Sequence, residues 1–127
     1  MSPKIHASSV EVKNSPLHGR GLYAAEPFRK GRLIGTYPLL ILSAQDTKRL
    51  KKTRLYHYVF YVDENEAGEM RSAVAFGMIS MCNHSRTPNA AFTVDAANAV
   101  VKLKAARAIK AGEEILIDYE EFADEAL

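Results

Sequence analysis

Three short strings carry the side chains that could do chemistry. Asn83-His84-Ser85-Arg86-Thr87-Pro88-Asn89 puts an imidazole and two carboxamides beside a Pro-Asn turn. Gly112-Glu113-Glu114-Ile115-Leu116-Ile117-Asp118-Tyr119 is an alternating stretch that ends in an acid and a phenol. Upstream lies Gly19-Arg20-Gly21-Leu22-Tyr23-Ala24. Amides, imidazole and phenol can hold a polar ligand or orient a reacting group without a fixed charge of their own. Glycines let backbone groups approach a ligand closely, because no Cβ intervenes.

Each string has competing readings. The glycine string fits the dinucleotide fingerprint G-x-G-x-x-A, which needs a helix opening at the glycines and an acid about twenty residues on. Pro27 and Gly31 interrupt such a helix, and Thr36 to Leu42 contains no acid; otherwise the string is a glycine turn between strands. Cys82 and His84 could ligate a metal, but zinc takes three or four ligands at recognisable spacings. His6, His18, His57 and one cysteine supply no such pattern. A Cys-His nucleophilic pair needs an orienting acid or an oxyanion-hole motif, and neither is evident; Cys82 reads as a small buried residue. Ile115, Ile117 and Tyr119 share one strand face, so Tyr119 is either a core tyrosine with a backbone partner or a group delivered into a site.

The elements that must position these residues are short strands. Val10 to Lys13 reads as a strand stopped by Asn14-Ser15-Pro16, and in the extended stretch Leu33 to Leu42 Gly35 and Pro38 forbid a helix. Ser43, with Asp46 three residues on, predicts a capped helix from Ala44 to Lys52. Tyr56 to Val62, aromatic and β-branched, predicts a strand closed by the turn Asp63 to Gly68. Met78 to Cys82 predicts one helical turn. Phe92 to Val94 and Val100 to Ala105 predict a hairpin around Asp95 to Asn98, and Ala111-Gly112 turns the chain into Ile115 to Tyr119. The expectation is one mostly β domain over residues 1–127.

Composition bounds the class. A chain of 127 residues, 47% apolar and 25% charged, can bury a core of its own. It shows no membrane-length apolar run and no signal-peptide h-region, and its single cysteine excludes an internal disulfide. An intracellular protein is expected, cytoplasmic in a bacterium or nuclear in a eukaryotic or virus-infected cell. A net charge of +2 gives no argument for nucleic acid. Lys48, Arg49, Lys51, Lys52 and Arg54 read as a solvated helix face. Asp118, Glu120, Glu121, Asp124 and Glu125 could attract a basic peptide.

In the same order along the chain, Gly19 to Ala24, the Asn-His-Ser-x-x-Pro-Asn string and Gly-Glu-Glu-Ile-x-Ile-Asp-Tyr resemble the motifs of SET-domain protein lysine methyltransferases. The resemblance runs from about Val10 to Tyr119 and is nearest to small stand-alone viral and bacterial SET proteins. It implies the family's knotted β-clip, S-adenosylmethionine as cofactor, and a basic or histone-like lysine substrate, with no metal, membrane or direct nucleic-acid partner. By the resemblance, Gly19, Arg20, Gly21, Leu22, Asn83 and His84 contact the cofactor, and Asn89 pairs backbone groups where segments cross. Tyr119 is the catalytic tyrosine and also touches the cofactor, while Tyr58 matches an aromatic lining the lysine channel. A silent SET-like β-clip binding module would keep the fold without the phenol. These 127 residues hold no cysteine-rich flanking segment, so none of the family's zinc sites is expected within them. Phe122 is the aromatic after Tyr119 that could cover the cofactor, and closure otherwise falls to the substrate or a second subunit. The viral relatives are dimeric, which implies a homodimer with its interface near the C-terminal segment and Leu39 to Leu42 as a candidate surface.

Overall fold

The computed structural model describes residues 9–17 and 19–119. Two sheets enclose the core. The first contains β1 (Val10–Asn14), β2 (Arg20–Ala24), β9 (Glu114–Ile117) and β6 (Asn83–His84), in that order. The second is antiparallel throughout, in the order β4 (Val59–Glu64), β5 (Met70–Ala75), β3 (Leu33–Ile41), β8 (Val100–Ala105), β7 (Ala90–Asp95).

Strand alternation sends one side of each sheet inward. Leu22, Ile115 and Ile117 from the first sheet meet Ala73, Val101 and Leu103 from the second, together with Ile79 and Ile109 from the connections. Phe60 and Phe92 pack edge to face with ring centroids 5.0 Å apart, a favoured aromatic geometry. Pro38, which lacks an N–H, sits where β3 hands over from β8 (residues 33–38) to β5 (residues 39–41).

The helix α1 (Ala44–Leu50) begins as its sequence predicts: Ser43 Oγ accepts from the Asp46 N–H at 3.1 Å. It is fastened by polar groups. Buried Thr47 shares a 2.9 Å hydroxyl contact with Ser72 and accepts from the Ser72 N–H.

The structure corrects several expectations. Arg54–Tyr58 is a 3-10 turn, and the strand expected from Tyr56 starts only at Val59. Aromatic content favours strands through cross-strand packing, and residues 54–58 pair with no strand. The glycine string is strand β2, because its backbone is paired by β1 along its length and by β9 at Leu22 and Tyr23. Strand β5, hidden by Arg71 and Ser72, holds the middle ground between β4 and β3. The last strand ends at Ile117, so Tyr119 lies beyond it. Within the candidate dimer surface, Leu39 is core and Leu40 points outward.

Candidate active site

The position of Tyr119 is set by the pairing of β9. This strand runs antiparallel to β2 and parallel to β6, with Asn83 opposite Leu116 and His84 opposite Ile117. The segment after β6 grips β9 along its length. The Ser85 N–H donates to the Ile117 carbonyl at 2.9 Å, and the Asn89 N–H to that of Leu116. The buried Asn89 carboxamide donates to the Glu114 carbonyl and accepts from the Leu116 N–H, both at 2.8 Å. Asn89 thus acts as a backbone partner for the last strand.

Beyond Ile117 the chain is caught by His84. Its Nδ1 accepts from the Tyr119 N–H at 3.0 Å and lies 3.7 Å from Asp118 Oδ1, and the two rings are 5.2 Å apart. The Tyr119 hydroxyl donates to the Cys82 carbonyl. Burial, reinforced by the neighbouring Cys82, Tyr58 and Glu114, pushes the phenol up to about 12. Tyr119 is therefore neutral at physiological pH, with its proton committed to a carbonyl and its oxygen lone pairs available to an incoming donor. Cys82 is almost wholly buried, and that burial, with Glu114 nearby, raises its thiol to about 12. Since the thiolate is the nucleophile, the Cys-His reading is set aside.

On the other side of β9, Glu114 joins four stretches of chain. Its Oε1 accepts from Ser15 Oγ at 2.8 Å and from the Tyr23 hydroxyl at 3.4 Å, and its Oε2 accepts from Asn83 Nδ2 at 2.7 Å. Asn83 Nδ2 also donates to the Arg20 carbonyl at 3.0 Å. Gly21 makes room for this cluster: a Cβ there would stand 2.2 Å from Glu114 Oε2 and 3.0 Å from Asn83 Nδ2. With both amide hydrogens engaged, Asn83 can serve a ligand only as an acceptor. A carboxylate and an amide oxygen at the β2/β6 junction suit a cationic, amine-bearing ligand rather than a phosphate.

The remaining candidates divide between two places. A cavity of about 570 Å³ is walled by Tyr56, Tyr58, Tyr61, Phe92, Ile117 and Tyr119. Tyr58, at the end of the 3-10 turn and 53% exposed, lines it together with Tyr119. Tyr119 and His84 meet beyond the end of β9, and Asn83, which precedes His84 on β6, reaches the Arg20 carbonyl with its side chain. Gly19 forms the turn into β2 with φ +50° and has an open face. Leu22 is 0% exposed and paired to Val12 on one edge and Ile115 on the other, so its side chain is core. Glu114 is the residue that sequence reasoning missed; the only hint was the Gly-Glu-Glu string itself. His6, His18, Phe122 and the acids Glu120, Glu121, Asp124 and Glu125 lie outside the described residues.

Residues 19–120 match the SET domain, a span that holds the glycine strand, the Asn-His segment and the final strand. The chain belongs to the SET domain family. The chain is 32% identical over 123 residues to a Schizosaccharomyces pombe protein named histone-lysine N-methyltransferase, H3 lysine-37 specific, covering 94% of this chain and 80% of that one. Two solved structures share the fold. A crystal structure of a Plasmodium falciparum protein superposes with TM-score 0.72 at 23% identity, covering 90% of this chain and 95% of that one. The Neurospora SET domain protein DIM-5 gives 0.70 at 20% identity, covering 87% of this chain and 51% of that one. As a SET domain related to a histone-lysine methyltransferase, the chain is a protein-lysine N-methyltransferase.

Proposed function

We propose that this SET domain transfers the methyl group of S-adenosylmethionine to a lysine ε-amine of a histone tail or another basic protein. In this reading the cofactor lies against Gly19, Arg20, Gly21, Asn83 and His84, the lysine enters the aromatic cavity, and the two meet at Tyr119. One observation carries it: Tyr119 is tied to His84 through its backbone and walls the cavity with its ring.

When bound, the cofactor supplies an electrophilic methyl carbon on a positively charged sulfur, and the half-buried carboxylate of Glu114 beside Asn83 fits such a ligand. The amine must reach it neutral. An unperturbed lysine, with pKa near 10.4, is neutral in well under one molecule in 10³ at pH 7. A depression of about 2 units requires only about 2.7 kcal/mol, which an aromatic-lined cavity can supply by disfavouring the ammonium. Tyr56, Tyr58, Tyr61 and Phe92 offer apolar surface to the lysine stem. The Tyr119 oxygen, its proton held by Cys82, can accept from the amine N–H and aim the nitrogen lone pair at the methyl carbon. Asp118, 3.7 Å from His84 Nδ1, adds negative charge beside Tyr119 that favours basic flanking residues.

The Schizosaccharomyces pombe relative makes histone H3 the first substrate to test. A homodimer is part of the proposal, with outward-facing Leu40 and Phe76 as exposed apolar contacts; sedimentation should give twice the 14.1 kDa chain mass. The functional experiment is incubation with methyl-labelled S-adenosylmethionine and core histones, followed by mass spectrometry. Label on a histone lysine is the expected result. Absence of label from every basic protein offered contradicts the reading.

A further inference from the structure

The carboxylate of Glu114 accepts hydrogen bonds from Ser15, Tyr23 and Asn83, all neutral donors. Among the described residues no cation pairs with it. Its neighbour Glu113 is opposed by Arg107 at 3.3 Å, and Asp63 on β4 by Arg71. Neutral dipoles hold a carboxylate in place without cancelling its net charge. Among the described residues the negative charge of Glu114 is therefore uncompensated, at the junction between the glycine strand and the Asn-His segment, and Gly21 is the residue whose missing Cβ lets it sit there.

That charge is felt at the reacting centre. Glu114 contributes to the resistance of both Cys82 and Tyr119 to ionisation. A potential that penalises an anion at the Tyr119 oxygen favours a cation beside it. In methyl transfer the carbon–sulfur bond breaks as the carbon–nitrogen bond forms, and the positive charge leaves sulfur for nitrogen. The cofactor thus carries one more positive charge than the thioether it becomes.

The geometry points to Glu114 as the residue that makes this chain bind S-adenosylmethionine in preference to its neutral by-product, S-adenosylhomocysteine, and so release the by-product after transfer. The inference rests on the functional reading above and adds a positioning residue, acting through Asn83 and through its field, that the reading does not contain. Opposite unit charges within roughly 10 Å at an effective dielectric of about 20 change a binding constant by about tenfold or more.

The test is calorimetric titration of the wild type and of Glu114→Gln with each ligand, with thermal unfolding to establish that the variant is folded. The wild type should bind S-adenosylmethionine more tightly. Glu114→Gln should narrow the ratio of the two affinities by about fivefold to tenfold, mainly by weakening S-adenosylmethionine. A folded variant with an unchanged ratio, or with equal losses for both ligands, overturns the proposal and leaves Glu114 a merely structural group. If the variant does not fold, the wild type decides with a third ligand, an analogue bearing an ammonium in place of the sulfonium. Both cations binding more tightly than the thioether supports the proposal; a thioether bound as tightly as the cations overturns it. A wild type that binds none of the three overturns the cofactor reading along with it, whereas binding of all three without charge preference overturns this inference alone.

Discussion

The two halves of the site are built differently. Around Glu114 every contact is a directed hydrogen bond, from Ser15, Tyr23 and Asn83 to the carboxylate and from Asn83 to the Arg20 carbonyl, so four distant stretches of chain fix one another. Across β9 the aromatic cavity is held by packing: Tyr56 and Tyr58 stand on a 3-10 turn, Tyr61 on β4 and Phe92 on β7, and Tyr58 is half exposed. A directed cluster defines one geometry and fails as a unit, whereas a packed wall can be altered ring by ring. This suits a site whose cofactor is constant and whose protein substrate is the variable partner. Tyr119 belongs to both halves.

Breaking the point where the halves meet should have the largest effect. Tyr119→Phe removes the hydroxyl and leaves the ring, so methyl transfer should fall by about 10²-fold or more while the calorimetric affinity for S-adenosylmethionine stays within about threefold. Asn83→Ala attacks the directed half. It leaves Glu114 and the Arg20 carbonyl short of a donor and should lower stability by about 1–3 kcal/mol in denaturant melts. Cofactor affinity should drop about tenfold in the same variant. Tyr58→Ala tests the packed half: KM for a lysine peptide should rise several-fold, with cofactor affinity and melting point near wild type, because Tyr58 is at the rim of the cavity. The smallest effect is on alkaline stability. Tyr119 keeps its proton to about 12 in the fold, while an unfolded tyrosine ionises near 10. Its contribution is complete below about pH 10 and is lost as pH rises toward 12; a pH series of melts should therefore decline less steeply in Tyr119→Phe.

Much of the scaffold was legible because local chemistry determines it. Ser43 caps its helix, Asn14 ends β1, and the buried pair Ile115 and Ile117 follows from alternation. Of the residues named by the resemblance, His84 and Tyr119 touch, and Asn83 precedes His84 on β6. What could not be read depends on distant partners. Gly21 argues against a strand locally, yet pairing with Lys13 of β1 places it in one. Ser72 looks like a surface residue until Thr47 satisfies it inside the core. Tyr56 and Tyr58 have strand-like side chains but no strand to pair with. Glu114 was invisible as a hub because its donors Ser15 and Asn83 are 99 and 31 residues away.

The division of labour between the halves is tested most directly by amide chemical-shift mapping of isotope-labelled protein, titrated first with S-adenosylhomocysteine and then with a lysine-bearing histone H3 peptide. The account predicts that the first ligand moves Gly19, Arg20, Gly21, Asn83 and His84, and that the second moves Tyr58, Tyr61 and neighbours in the cavity wall. Tyr119 should respond to both. Shifts from the two ligands falling on the same half, or a cofactor response confined to the aromatic cavity, would contradict it.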